Sequence, residues 1–243
     1  LGDNFDEVLL PGAMPPGIKT LTLGGFFDHP LKKNMLPARL ENLFLGDYFN
    51  QLLAKDTFPL SLTLLSFGSN FQQEISREVL PPNLESLILG GYFNLPIAKD
   101  ALPESLRSLT FNGDIDMTKV VLPAGLRSLT FNGLLLRGLL SPEAETKLLP
   151  SLMKITLPSG LTSLVFDGCV DVEKILLPAS LQHLKEGGRF LSAMAINQYK
   201  KKQKKLTQVV KRAINKQTPF WSCFFCMCTK KRWQGGGGNR YRR

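Results

Sequence analysis

Apolar positions along this chain recur with a long period. An apolar–proline pair returns at Pro15, Pro37, Pro59, Pro81 and Pro103, every 22 residues, and again at Pro123, Pro158 and Pro178. With each proline counted as zero, position 3 is Ile18, Leu40, Leu62, Leu84, Leu106, Leu126, Leu161 and Leu181, and position 6 is Leu in all eight units. Position 8 is Leu or Phe from Leu23 to Phe166 and fails only at Glu186. Side chains alternate along an extended segment, so positions 6 and 8 share one face, and positions 5 and 7 share the other. Position 12 returns to the core as Phe27, Phe49, Phe71, Phe93, Ile115, Leu135, Val170 and Phe190. A unit of this size cannot bury its apolar face alone, so the pattern predicts stacked coils with continuous ladders inside. Position 9 is Gly, Asn or Asp throughout. These residues tolerate positive φ best, which predicts a left-handed corner there. The proline is expected to begin each strand segment, where its missing N–H does least harm.

The prediction is therefore a mostly β repeat solenoid: a right-handed parallel β-solenoid of about eight coils of 20–22 residues over 1–190. The step from Pro123 to Pro158 is 35 residues, which places an insertion near 138–150. There Ser141-Pro142-Glu143 reads as a helix start, with a cap, a proline in the first turn and an acid after it. Leu1-Gly2-Asp3-Asn4-Phe5-Asp6 superposes on Leu45-Gly46-Asp47-Tyr48-Phe49-Asn50. The chain thus begins inside a coil, and more coils are expected upstream.

The repeated residues resemble the FNIP repeat, a relative of leucine-rich repeats with the shape LP-x-x-L-x-x-L-x-F-G-x-x-F-N-x-P-I. Phe93-Asn94-Leu95-Pro96-Ile97 fits its name motif, and Phe27-Asp28-His29-Pro30-Leu31 is a near match. Later units keep the Leu-x-x-Leu-x-Phe half, and Leu106–Gly113 is identical to Leu126–Gly133. The resemblance implies a leucine-rich-repeat-like solenoid used for protein–protein contact and brings no shared catalytic residues.

Charge divides the chain in two. Residues 187–243 hold 15 of the 30 Lys and Arg and no acid, whereas 1–186 hold 15 basic and 20 acidic residues. A mildly acidic solenoid thus carries a strongly basic tail. No apolar run approaches the length of a spanning helix, and three of the four Cys crowd together, so a reducing, intracellular compartment is expected rather than a disulfide framework.

On the outward face of the strands, Phe44, Leu64 and Ile88 fall on three successive coils. They are expected to form an apolar stripe that receives a protein partner. In the tail, Lys200, Lys201, Lys202, Lys204 and Lys205 precede Leu206, Val209, Val210, Ala213 and Ile214, whose spacing makes one stripe of a helix over 191–218. Lys211 and Arg212 lie off that stripe. Residues 219–243, expected to be unstructured, contain Phe220, Trp221, Cys223, Phe224, Phe225, Cys226 and Cys228, then Lys230, Lys231 and Arg232.

Basic anchors flanking a short apolar run suit attachment to an anionic membrane surface. S-acylation at Cys223, Cys226 or Cys228 would supply a second anchor. The same charge suits nucleic-acid phosphates, and residues 203–221 suit a calmodulin-like groove. A solvated tail is the remaining alternative. The three thiolates lack the fourth ligand of a structural zinc site, so no metal and no cofactor is expected. His29 and His183 are the only histidines, and no nucleophile elbow, phosphate loop or paired-carboxylate motif accompanies them. The expectation is a non-catalytic scaffold.

Overall fold

A computed structural model of the chain describes residues 1–132, 157–167 and 175–215. Its contacts separate two units, Leu1–Lys200 and Lys201–Arg243. The insertion near 138–150 and all of 219–243 lie outside the described residues.

Among the described residues the first unit is built on one sheet of nine strands in sequence order. They are β1 (Thr20–Thr22), β2 (Asn42–Phe44), β3 (Leu64–Ser66), β4 (Ser86–Leu89), β5 (Ser108–Phe111), β6 (Ser128–Phe131), β7 (Ser163–Phe166), β8 (His183–Glu186) and β9 (Arg189–Phe190). The first eight run parallel, each pairing with its counterpart in the next repeat: Leu21 with Leu43, Leu65 with Leu87, Leu129 with Leu164. Turns in which strand and return are both described number about six, fewer than the eight coils expected, because the returns after β6 and β7 include residues outside the described set.

Three tight turns close a coil. At the first, the N–H of position 3 donates to the carbonyl of the proline, as Leu40 does to Pro37 at 3.1 Å and Leu106 to Pro103 at 3.0 Å. The proline therefore opens a turn and not the strand, which starts five residues later, as at Thr20 and Asn42. The second turn follows the strand at position 9, where Phe27 N–H donates to Gly24 at 3.1 Å. The third joins positions 17 and 20, as Thr57 to Ala54 at 3.3 Å.

The left-handed corner lies in this third turn. Gly12, Asn34, Asp56, Glu78 and Asp100 all have positive φ, between 63° and 76°, and each stands three residues before a repeat proline. The expected left-handed corner at position 9 occurs at Gly187, φ 54°, and at no other position-9 residue among the described residues. In the earlier coils glycine is needed at position 9 for clearance. A Cβ on Gly46 would run into the carbonyl of Gly24, one on Gly68 into Gly46, and one on Gly90 into Gly68. Backbones of successive coils touch at this corner from Gly24 to Gly90, so these coils need glycine to stack. Where position 9 becomes Asn112, the glycine moves to the next residue, Gly113, whose Cβ would run into Gly91.

Position 12 supplies a ladder of stacked rings, Phe5–Phe27–Phe49–Phe71–Phe93, with centroids 6.1–6.3 Å apart. Position 12 then changes to Ile115, and position 8, Phe once before at Phe67, carries a second ladder, Phe111–Phe131–Phe166, at 5.7 and 5.2 Å. The bulk moves from one column to the other where the coils shorten to 20 residues, which keeps the core filled. Polar groups form their own ladder at position 13. Asp28 Oδ1 accepts the N–H of Asn50 at 2.9 Å, and Asn50 Oδ1 accepts that of Gln72 at 2.9 Å. Gln51 and Gln73 reach back to the same residues.

At the far end, β9 pairs antiparallel with β8 across Gly187 and Gly188, both with positive φ. Such a two-residue loop suits the twist of a hairpin. It turns Phe190, expected in the core, out into solvent at 72% exposure. Helix α1 (Ala193–Asn215) follows, capped by Ser192, whose Oγ accepts the N–H of Ala195 at 3.2 Å. Its first turns bury Ile196 in the core.

Candidate functional site: the outer sheet face and the basic helix

Strands β2, β3 and β4 alternate half-buried and buried residues. Leu43, Leu65 and Leu87 point into the core, so Phe44, Leu64 and Ile88 stand on the opposite, solvent-facing side. Pairing fixes their arrangement. Phe44 lies beside Ser66, and Ser66 beside Ile88, in one column; Leu64 lies in the neighbouring column, between Asn42 and Ser86. The three side chains form a triangle around Ser66 and not the single stripe expected from their spacing. Diagonal neighbours on a sheet are within reach of long side chains, so the patch is continuous. Toward β6 the same columns become Ser108, Thr110, Ser128 and Thr130, which make that end of the face polar.

The basic residues of the tail separate by role. Lys200 belongs to the first unit, and its Nζ donates to the carbonyls of Ala179 at 2.9 Å and Leu181 at 2.7 Å. These bonds tie it to the last coil. In the second unit, Lys201, Lys202 and Lys204 are exposed on α1. Lys205, Lys211 and Arg212 lie within the span of α1, their side chains outside the described residues. Trp221, Cys223, Cys226, Cys228, Lys230, Lys231 and Arg232 also lie outside them.

The two histidines stand on different coils. His29 Nε2 sits 2.8 Å from the carbonyl oxygen of Asp6, and its ring meets Phe27 edge-on at 5.6 Å, while His183 lies on β8. Asp114 is an exposed residue just beyond β5 whose carboxyl is pushed above the usual range by partial loss of solvent; Asp116 pairs with Lys119 at 3.3 Å. Among the described residues no group of three or more His, Cys, Asp or Glu could hold a metal, and no helix is long and apolar enough to cross a membrane.

Two surface features escaped the reading of the sequence. One is a diagonal ion-pair series at the left-handed corner, Lys33–Asp56 at 3.1 Å and Lys55–Glu78 at 2.8 Å. The Lys55 bond holds the Glu78 carboxyl below its ordinary range and raises the lysine in turn. The other is an exposed aromatic column, Phe26, Tyr48 and Tyr92. Both recur at a fixed place in the period, and that recurrence was the available signal.

The fold and its ladders define a leucine-rich-repeat-like parallel solenoid. Its coils over 27–133 are FNIP repeats: the FNIP Repeat family model matches residues 27–70, 49–92, 71–114 and 93–133. Among solved structures the chain is similar to CroV588, described as a novel circular LRR protein. The TM-score is 0.55 at 29% identity, over 76% of this chain and 29% of that one, so this chain spans less than a third of its length. No curated protein matches the chain.

Proposed function

We propose that the chain is a non-catalytic protein–protein interaction scaffold whose FNIP-type solenoid receives a partner on its outer sheet face. Support comes from the triangle of Phe44, Leu64 and Ile88, three large apolar side chains kept half-exposed on adjacent rigid strands. An apolar patch on a pre-formed surface binds with less backbone to order. Leucine-rich-repeat-like solenoids commonly serve as such scaffolds.

The basic segment tethers the scaffold to an anionic membrane surface. This part of the reading rests on 15 basic residues and no acids over 187–243 and on the exposure of Lys201, Lys202 and Lys204. Each basic residue near an anionic surface contributes about 1 kcal/mol. Trp221 and its aromatic neighbours insert at the interface, Lys230, Lys231 and Arg232 flank them, and Cys223, Cys226 and Cys228 are the acylation candidates.

Co-sedimentation of the full chain with phosphatidylserine vesicles tests the tether. Binding that survives added RNA and falls on Lys201→Gln/Lys202→Gln/Lys204→Gln supports it. Binding displaced by RNA supports nucleic acid as the partner of the tail and removes the membrane reading.

A further inference from the structure

A second exposed apolar surface runs along the turn that follows the strands. Position 11 of successive coils is Phe26, Tyr48, Asn70, Tyr92 and Asp114. The first four share a column, because each N–H donates to the carbonyl of position 10 in the coil before: Tyr48 to Gly25, Asn70 to Asp47 and Tyr92 to Ser69, all at 2.9 Å. Phe26 and Tyr48 stack on each other with centroids 5.2 Å apart and 17° between planes. They remain 49% and 55% exposed, and Tyr92 63%. The adjacent residues Phe27, Phe49 and Phe93 already fill the core from the same turns, so packing does not account for the outer rings. The short Asn70 leaves a notch between Tyr48 and Tyr92, which stand roughly 10 Å apart at two strand spacings.

Charge gives the occupant its chemistry. Positions 9–15 of the first six turns (2–8, 24–30, 46–52, 68–74, 90–96 and 112–118) contain eight Asp and Glu and no Lys or Arg. All ten Lys and Arg of residues 1–132 lie elsewhere in the period, although Lys119 reaches Asp116. Asp47 precedes Tyr48 directly, and Asp114 ends the column. A one-signed acidic field around exposed aromatic faces repels nucleic acid and anionic lipid and attracts cations.

We propose that this ridge docks an extended arginine-rich segment of a partner protein. Guanidinium planes stack on Tyr48 and Tyr92 across the notch, and the bordering carboxylates accept their N–H groups. Arginine fits better than lysine, because its flat, forked, weakly hydrated head both stacks and bonds in pairs. Tyr and Arg are the residues that dominate interface energetics. This assignment rests on the scaffold reading of the solenoid but uses a different face from Phe44, Leu64 and Ile88.

The test is fluorescence anisotropy of a labelled Arg-Ser repeat peptide with the full chain, a Glu-Ser peptide serving as control. Tyr48→Ser/Tyr92→Ser is expected to weaken binding about tenfold, whereas Tyr48→Phe/Tyr92→Phe keeps it. Asp47→Asn, which retains the Oδ1 acceptor for Ser69, weakens it less and flattens its salt dependence. Replacing Phe44, Leu64 and Ile88 by Ser leaves peptide binding unchanged, so failure of the sheet-face reading is seen separately. Equal binding by wild type and the double Ser variant overturns the proposal, whether nothing occupies the ridge or the chain's own basic segment covers it.

Discussion

Lys200 Nζ donates to the carbonyl of Leu181 at 2.7 Å, the bond that inside the stack belongs to a serine hydroxyl. Ser180 Oγ donates to Leu161 at 2.6 Å, and Ser61 Oγ to Leu40 at 2.6 Å and to Ala38 at 2.9 Å. Ala38 and Leu40 hold positions 1 and 3 of their coil, as Ala179 and Leu181 do of theirs. The ammonium on the helix thus meets the two carbonyls that a further coil would have met. Backbone acceptors at the end of a repeat array must find some donor, and α1 provides it.

Lys200→Met removes that donor while keeping most of the aliphatic stem. We expect a loss of about 1–2 kcal/mol in urea unfolding with no change in vesicle binding. Unchanged stability together with weaker vesicle binding would place Lys200 in the anion-binding set.

Stacking clearance at position 9 is equally testable. Gly68→Ala places a Cβ against the backbone of the preceding coil, where no side chain can move aside, and should cost about 3 kcal/mol or more. Gly91→Ala, with nothing within 4 Å of its Cβ, should leave the melting temperature near wild type. Similar effects of the two substitutions would contradict the close approach.

Phe49→Ala interrupts the ring ladder between Phe27 and Phe71 and should destabilise by about 3–5 kcal/mol. Phe26→Ser, which removes a ring 49% exposed, should change stability far less. Chemical denaturation of the two variants side by side separates the inner column from the outer.

Asp114 sets a small pH effect. Burial raises its folded pKa above the ordinary value, so the folded state binds its proton more tightly than the unfolded state. Stability then falls as pH rises from the unfolded pKa through the folded one. Asp114→Asn should flatten thermal stability over that acidic window and raise it at neutral pH. A larger acid-to-neutral drop in the variant would reverse the sign and discard the explanation.

Among the described residues the period and the inward columns at positions 3, 6, 8 and 12 were legible because burial repeats with the coil, Leu135 and Val170 of the last column lying outside them, and the residues of the outer face followed from alternation. Other features depended on geometry that the one-letter pattern does not carry. Gly46 and Gly68 look like turn glycines, yet their reason is the neighbouring backbone. The true left-handed corner includes Glu78, a residue that sequence preference does not mark. Phe190 fits the core column by count, but the Gly187-Gly188 hairpin reverses the chain before it arrives. Phe44, Leu64 and Ile88 were identifiable as outward residues, while their triangular arrangement required knowing which residue faces which across β2, β3 and β4.

The most direct test of the scaffold is proximity labelling from the full chain, wild type against Phe44→Ser/Leu64→Ser/Ile88→Ser, with matching thermal melts to show that both fold. The account predicts that a defined group of labelled proteins is lost in the variant while the fold is retained. An identical set of labelled partners, with the same melts, would contradict it.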